Sequence, residues 1–334
     1  MSRTLVIIAG PTGVGKTGYA IGQALHFNSP VINCDSRQIY KEMSIGTAVP
    51  DASQLAAVRH YFVQTVSVME DYTAGQYGRE ALALIEELFA QGHETLVMCG
   101  GSGFYIDAVC KGFGDTPPSD PVLRGELSAR AAEGLDPLLE ELHRLDPACY
   151  RVIDRTNPRR VVRALEVCLL SGRPFSSFKL SAPKKRDFEI EKYCLTRPRE
   201  ELYSRIDARV TKMIDEGLLD EVRSLLPYRS RPALQTVGYK ELFEYLDSSE
   251  ELVSSRTDDF SEHQGRTSGC ASGVGEGSCP ARRFSCRGGG LPRPQAPSRS
   301  LDEAVALIQQ HTRNYAKRQL SWWRRDKEVR WIDL

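Results

Sequence analysis

The stretch Leu5-Val6-Ile7-Ile8-Ala9-Gly10-Pro11-Thr12-Gly13-Val14-Gly15-Lys16-Thr17 decides the fold. Its first five residues are apolar and rich in β-branched side chains, which predicts a short strand buried on both faces, as in a parallel sheet. The strand runs into G-x-x-x-x-G-K-T, and Tyr19, Ala20, Ala24 and Leu25 continue with helical spacing. Strand, glycine-rich loop and helix in that order make a P-loop. Its glycines let the backbone wrap a phosphate group without side-chain clashes. N–H groups at the helix N-terminus point at the anion. Lys16 supplies positive charge, and the Thr17 hydroxyl suits Mg²⁺. The expected diphosphate or triphosphate cradle is therefore Gly10, Pro11, Thr12, Gly13, Val14, Gly15, Lys16 and Thr17. Most such loops hold ATP or GTP, so the motif announces a phosphate chain without naming a reaction.

Val31-Ile32-Asn33-Cys34 reads as a second strand, with Asp35-Ser36-Arg37-Gln38-Ile39-Tyr40 at its C-terminal end. Ligand groups gather at that edge of a doubly wound sheet. An aspartate placed there can bind metal, act as a general base, or simply cap the following turn. A third strand, Thr95–Cys99, ends in Gly100-Gly101-Ser102-Gly103-Phe104-Tyr105. Leu202, Ile206, Val210 and Met213 recur at helical spacing, so Glu200–Leu226 includes an amphipathic helix. Arg205 and Arg209, four residues apart, share one of its faces. Ser300-Leu301-Asp302-Glu303 is a capping box that predicts a helix through Trp323.

These blocks, with Ile45-Gly46-Thr47-Ala48 between them, resemble the tRNA dimethylallyltransferases (tRNA isopentenyltransferases) of bacterial type. That family's order is G-P-T-x-x-G-K-T, D-S-x-Q-x-Y, I-G-T-A-x-P and G-G-T-G-x-Y. Asn157–Val167, Gln235–Leu242 and Thr312–Gln319 complete the likeness, which covers residues 4–248 and 300–334. The resemblance implies an α/β fold: a P-loop NTPase-like core with a parallel sheet flanked by helices, plus a small helical insertion domain. It assigns residues 1–115, 191–248 and 300–334 to the core, and 116–190 to the helical domain that grips tRNA.

The resemblance also implies a reaction. A dimethylallyl group passes from dimethylallyl diphosphate to the exocyclic N6 amine of the adenine immediately 3′ of the anticodon. The tRNAs concerned read codons beginning with U. Asp35 is then expected to orient the amine and accept its proton. Thr17 would hold Mg²⁺ and touch the diphosphate, and Arg205 or Arg209 would neutralise the leaving group. The target base must leave its stack to react. By the same likeness, Asp35, Ser36, Arg37 and Gln38 contact it, and Ser102 lines its channel. Arg124, Arg159, Arg160, Val161, Val162 and Arg163 hold the anticodon arm. Gln235, Thr236, Val237, Gly238, Tyr239 and Lys240 touch neighbouring nucleotides. The family implies a monomer acting on one tRNA.

Several positions depart from the family pattern. Val49 stands where lysine is usual, Ser102 replaces threonine, Phe104 replaces a common leucine, and Tyr61 stands where a second histidine is frequent. The largest departure is 252–299, a stretch of 48 residues with eight Gly, eight Ser, seven Arg and no Lys. It carries too few large apolar residues to offset chain ordering, so it is expected to be a disordered surface insertion. Arg with Gly and Ser suits loose RNA contact. His263, Cys270, Cys279 and Cys286 lack the paired C-x-x-C of a zinc site.

Composition bounds the rest. The 334 residues suffice for about two domains. Hydrophobic residues make up 41% and charged residues 26%, as in a packed, soluble protein. No apolar run approaches the ~20 residues that cross a bilayer, and the N-terminus does not read as a signal peptide. Nine scattered cysteines fit reduced thiols and a cytoplasmic location. Net charge is zero, yet residues 151–210 carry 15 basic and 8 acidic side chains. Such a section is either a patch for phosphate or nucleic acid, or a solvated helical face. From the residues alone a small-molecule P-loop kinase and a non-catalytic RNA-binding protein stay open. The first needs nucleotide turnover, and the second needs no product.

Overall fold

The computed structural model describes residues 3–114, 116–178, 184–248 and 300–334. The expected insertion at 252–299, with its RNA and zinc readings, lies outside the described residues. β1 (Thr4–Ala9) leads into α1 (Lys16–His26), and β2 (Val31–Asn33) follows. After α2 (Ala52–Ala57) come β3 (His60–Tyr61), α3 (Ala74–Ala90), β4 (Thr95–Cys99) and α4 (Gly103–Cys110). Four helices come next: α5 (Pro121–Glu133), α6 (Asp136–Leu145), α7 (Pro147–Val152) and α8 (Pro158–Ser171). β5 (Glu189–Thr196), α9 (Arg199–Asp215) and α10 (Leu218–Ser224) return the chain to the sheet. Residues 239–248 are helical (α11), and α12 (Leu301–Trp323) and β6 (Val329–Asp333) close the chain.

Every strand pair is parallel, and the order is β3-β2-β4-β1-β5-β6. All carboxyl ends therefore share one edge, and the chain reverses its direction of travel across the sheet around β1 and β4. That reversal opens the crevice where ligands bind in such sheets. β1 is buried along nearly its whole length because helices cover both faces of the sheet. Leu5, Ile7, Met98 and Tyr77 belong to the core on one face, and Val6, Ile8, Val97 and Leu202 to the core on the other. Each such side chain contributes about 1.5–3 kcal/mol relative to exposure.

β5 was hidden in the sequence because Glu189, Glu191 and Lys192 interrupt its apolar pattern. Lys192 is nonetheless buried, its ammonium bonded to Asp326 at 2.9 Å and Glu328 at 2.8 Å. Burial alone would lower its pKa, but the two carboxylates outweigh burial and raise it. The strand begins at Glu189, just before the boundary expected at 191. The amphipathic helix expected within Glu200–Leu226 is α9, and Gly217 at φ +97 separates it from α10. The expected capping box is present: Ser300 Oγ accepts from Glu303 N, and Glu303 Oε2 accepts from Ser300 N.

Close approach of α3 to α4 depends on Gly78. A Cβ there would lie 2.9 Å from Ala108 Cβ and 3.2 Å from its carbonyl oxygen. Gly78→Val is expected to destabilise the fold by about 1–3 kcal/mol through overpacking. Urea unfolding would read this as a lower midpoint at unchanged slope.

The helices α5 to α8 pack around a core of their own, built from Leu127, Leu138, Leu142, Val161 and Leu165. Asn157 caps α8, Pro158 occupies its first turn, and Gly172 ends it at φ +65. Two buried carboxylates stitch this unit together. Glu166 accepts from Arg124 (2.6 Å), Arg163 (2.7 Å) and Ser119 Oγ (2.7 Å). Asp146 accepts from Cys149 N (2.9 Å), Ser176 N (2.6 Å) and Ser176 Oγ (2.8 Å). Burial pushes both carboxyls up, but these donors outweigh it and hold both below their ordinary values of 4.5 and 3.8. A depressed carboxyl contributes stability that is present above the unfolded pKa and is lost as pH falls through the lower folded value. Thermal stability should therefore decline as pH falls below about 4.5, and Glu166→Gln should flatten part of that decline. Circular dichroism melts between pH 7 and pH 3 would show both.

Candidate active site

The parallel topology brings three loops to one edge: the P-loop after β1, Asp35–Gln38 after β2, and Gly100–Ser102 after β4. They line a cavity of about 1060 Å³, the third loop through Gly100, closed by α9, α12 and residues 44–51 and 236–238. In the P-loop, Gly10 has φ +147 and Gly15 has φ +109, conformations open to glycine. A Cβ on Gly10 would also meet the Leu195 carbonyl oxygen at 2.8 Å. Lys16 Nζ donates to Pro11 O at 2.8 Å, folding the side chain over the loop. Burial lowers its pKa, and nearby Arg209 acts in the same direction while Asp35 opposes.

Two arginines brace the P-loop from outside. Arg205 Nε donates to Gly13 O, and Arg197 Nε donates to Val14 O, each at 2.9 Å. Arg197 follows β5 and also pairs with Glu201. Sequence reading overlooked it because nothing local distinguishes an arginine before Pro198. Arg209 lines the same cavity and forms no ion pair or hydrogen bond among the described residues. Burial lowers its pKa first, and Arg205 adds to the effect. An unpaired guanidinium beside Lys16 and the P-loop amides makes an anion site with two fixed cations. Thr17 lines the cavity as well.

Asp35 is half-buried at the cavity wall. Its Oδ1 accepts from Arg37 N at 2.9 Å and from Gln38 N at 3.4 Å, so it caps its own turn. Oδ2 has no hydrogen-bond partner among the described residues, so one carboxylate performs the cap and still offers an acceptor. Ser36 N donates to Ser102 Oγ at 3.0 Å, and Ser102 Oγ donates to Ser36 Oγ at 3.0 Å, joining the β2 and β4 loops. The Tyr315 phenol bonds Ser102, and burial, reinforced by Asp35, pushes its pKa up to about 12. Gln319, a buried side chain of α12, accepts from Thr12 N and donates to Gly101 O, each at 2.9 Å. Cys34 and Cys99 lie nearby. Burial holds Cys34 well above the ordinary thiol value and pushes Cys99 up to about 12, so both stay protonated and inert.

A second cavity of about 480 Å³ lies beyond this wall, lined by Tyr72, Phe104, Tyr105, Arg159, Arg318 and Trp322. The two cavities share Ser36, Arg37, Tyr315 and Gln319. Molecules entering the two cavities would thus meet across Ser36 and Arg37, with Asp35 on the P-loop side of that wall.

The remaining expected RNA contacts divide. Arg159 lines the second cavity, and Arg160 is exposed, 4.0 Å from Asp154. Thr236, Val237 and Gly238 line the first cavity, and Lys240 is exposed. Gln235 donates to Arg229 O at 2.7 Å. Two expectations are corrected. Val161 and Val162 are buried in the helical unit, because apolar side chains one turn into α8 face its core. Tyr239 is fully buried, with its hydroxyl on Glu221 at 2.6 Å. Arg124 and Arg163 are tied to Glu166, so they brace the helical unit and offer only their partly exposed edges.

The sequence model of the IPP transferase family matches residues 38–267 and 289–326. The break between the two segments falls within the Gly/Ser/Arg-rich stretch. tRNA dimethylallyltransferase 1 of Bacteroides thetaiotaomicron is 41% identical over 330 residues, spanning 98% of this chain and 91% of that protein. tRNA dimethylallyltransferase 2 of Porphyromonas gingivalis is 43% identical over 331 residues, spanning 99% and 94%. Among solved structures, the tRNA isopentenylpyrophosphate transferase of Bacillus halodurans superposes with a TM-score of 0.62 at 30% identity, covering 99% of this chain and 90% of that one. A eukaryotic dimethylallyltransferase solved acting on tRNA superposes with a TM-score of 0.69 at 22% identity, covering 99% and 74%, a likeness of fold.

Proposed function

The chain belongs to the IPP transferase family, its reaction is the transfer of a dimethylallyl group to tRNA, and on that premise we propose how its two cavities divide the work. Dimethylallyl diphosphate enters the P-loop cavity, and the adenine immediately 3′ of the anticodon enters the second. The observation that carries this reading is the shared wall at Ser36, Arg37, Tyr315 and Gln319, with the open oxygen of Asp35 beside it. Family membership replaces the kinase and the non-catalytic readings.

The chemistry follows from the groups present. The exocyclic N6 lone pair attacks the allylic carbon of the donor. The carbon–oxygen bond breaks, and its electron pair leaves with diphosphate. The new N–C bond leaves a proton on N6, which Asp35 Oδ2 accepts. The products are N6-dimethylallyladenosine and diphosphate. Lys16, Arg209 and the P-loop amides hold the charge that develops on the leaving group.

No cluster of three or more His, Cys, Asp or Glu that could hold a metal occurs among the described residues. The donor set nevertheless fits Mg²⁺, which is commonly held by few protein groups together with substrate phosphates and water. Thr17 would hold it against the diphosphate, where it would supply further charge neutralisation. No described helix is long and apolar enough to cross a membrane. We place the reaction in the cytoplasm, with a monomer acting on one tRNA.

Arg209 is the better diphosphate ligand of the two α9 arginines, because Arg205 is partly committed to Gly13 O. Arg209→Ala should raise the donor KM about 10-fold or more with unchanged melting temperature. Arg205→Ala should lower melting temperature as well, because the P-loop loses its brace. The overall reading is tested by label transfer from dimethylallyl diphosphate to an anticodon stem-loop with Mg²⁺. A loop with adenine 3′ of the anticodon should accept label, and one with guanine there should not. Equal labelling of both loops would sink the assignment of the acceptor.

A further inference from the structure

Glu221 of α10 does not line either cavity, yet it makes the densest set of hydrogen bonds next to them. Its Oε2 accepts from Ser44 N (3.0 Å) and Ile45 N (2.7 Å). Its Oε1 accepts from Gly46 N (3.1 Å) and from the Tyr239 hydroxyl (2.6 Å). Three successive backbone N–H groups converging on one point form a nest, the arrangement that elsewhere captures phosphate. Here a carboxylate of the chain itself fills it.

The consequence reaches the site through two further contacts. Residues 44–51 line the P-loop cavity. Gln38 Nε2 donates to Thr47 O (3.1 Å) and Ala48 O (2.8 Å), so this loop holds the Gln38 side chain in one orientation. From outside the loop, Gln64 Nε2 also donates to Ser44 Oγ at 2.7 Å, and Ile45 packs on the core. Thr47 Oγ1 bonds only within it, to Met43 O and Ser44 O, and Ala48 sits at φ +53. Gly46 lies against the Tyr239 ring, which a Cβ would meet at 2.6–2.7 Å. Glu221 thus supplies both the anchor of the loop and the partner that keeps the Tyr239 ring in place.

We propose that Glu221 is a positioning residue for prenyl transfer. By filling the amide nest of residues 44–46 it fixes the loop that holds Gln38 in the P-loop cavity, next to the wall across which the acceptor base is reached. This rests on the reading that the base is reached across that wall. Glu221→Gln keeps the size of the side chain but sets an N–H₂ group against N–H donors.

The experiment combines hydrogen exchange and kinetics on the full chain. In Glu221→Gln the amides of Ser44, Ile45 and Gly46 should exchange at least about 10-fold faster, while those of Thr12–Lys16 stay protected. The kcat for transfer to the stem-loop should fall about 10- to 100-fold, with donor KM within about two-fold, because misplacement spares the phosphate contacts. Glu221→Asp, which keeps the charge but is one methylene too short to span the nest, should show the same pattern should the glutamine variant fail to fold. In Glu221→Ala, added formate should restore part of kcat by entering the vacated nest. A folded variant with wild-type kcat would overturn the inference. So would faster exchange at residues 44–46 without loss of kcat, or a loss carried wholly by donor KM. If the wild-type protein labelled no stem-loop in the same assay, the reading of the site would fall instead.

Discussion

Asp35→Asn is expected to lower the rate of dimethylallyl transfer by about 10²- to 10⁴-fold, the range for loss of a positioned general base, with melting temperature unchanged. The asparagine is chosen because of the geometry. Oδ1 of Asp35 caps the turn through Arg37 N and Gln38 N. An asparagine Oδ1 accepts the same two bonds, so the turn persists and Ser36 stays on Ser102. Only the proton acceptor at Oδ2 is lost. Single-turnover labelling of a stem-loop with saturating donor isolates the chemical step from binding. Transfer within a few-fold of wild type would reduce Asp35 to a turn cap. A large loss accompanied by a lower melting temperature would point to the cap as the essential role. Asp35→Ala removes both functions at once and serves as the reference for separating them.

Lys16→Met is expected to cost about 10²- to 10³-fold in kcat/KM, the scale for removing one donor that stabilises leaving-group charge. Methionine keeps the unbranched stem and removes the ammonium. Lys16 does two things in this structure. Its Nζ bonds Pro11 O and so helps shape the loop, and it places a cation in the cavity beside Arg209. The loop has independent braces in Arg197, Arg205 and Gln319. Its shape should therefore survive the substitution, and the loss should report charge. Added salt tests this, since wild-type kcat/KM should fall with ionic strength more steeply than that of the variant. Equal salt dependence, or a loss under about 5-fold, would leave the leaving-group charge to Arg209 and the amides.

Arginines show where reading a chain in order reaches its limit. The basic section at 151–210 suggested a phosphate or RNA patch, and it contains both kinds of arginine. Arg159 lines a cavity, and Arg209 faces one with no ion pair or hydrogen bond among the described residues. Arg124 and Arg163, equally plausible in sequence, spend their charge on the fully buried Glu166. A carboxylate inside a helical unit must be paired to avoid the cost of burying charge, and its partners come from α5, 42 residues away, and from its own helix, 3 residues away. No local pattern distinguishes a guanidinium needed for such a purpose from one left for a ligand. Val161 and Val162 repeat the lesson for apolar residues: the block containing them was expected at the RNA, but their type assigns them to the core.

The strand, the loop and the helix of residues 4–26 were determined by the sequence itself, because β-branched burial, glycine geometry and helical spacing are local properties. So were the capped start of α12 at Ser300 and the place of Asp35 at a strand's end. The likeness of the ordered blocks to one family was legible for the same reason, since each block carries its chemistry within a few residues. Only the tertiary structure decided which distant groups meet. The parallel sheet order places the loops after β1, β2 and β4 on one edge, and α12 returns from more than 300 residues away to set Gln319 on Thr12. Glu221 reaches the nest of residues 44–46 across 175 residues of chain. Such contacts depend on how layers pack around the sheet, and packing is a property of all elements together. That is why the P-loop could be read from thirteen consecutive residues, while the wall between the two cavities required the folded chain.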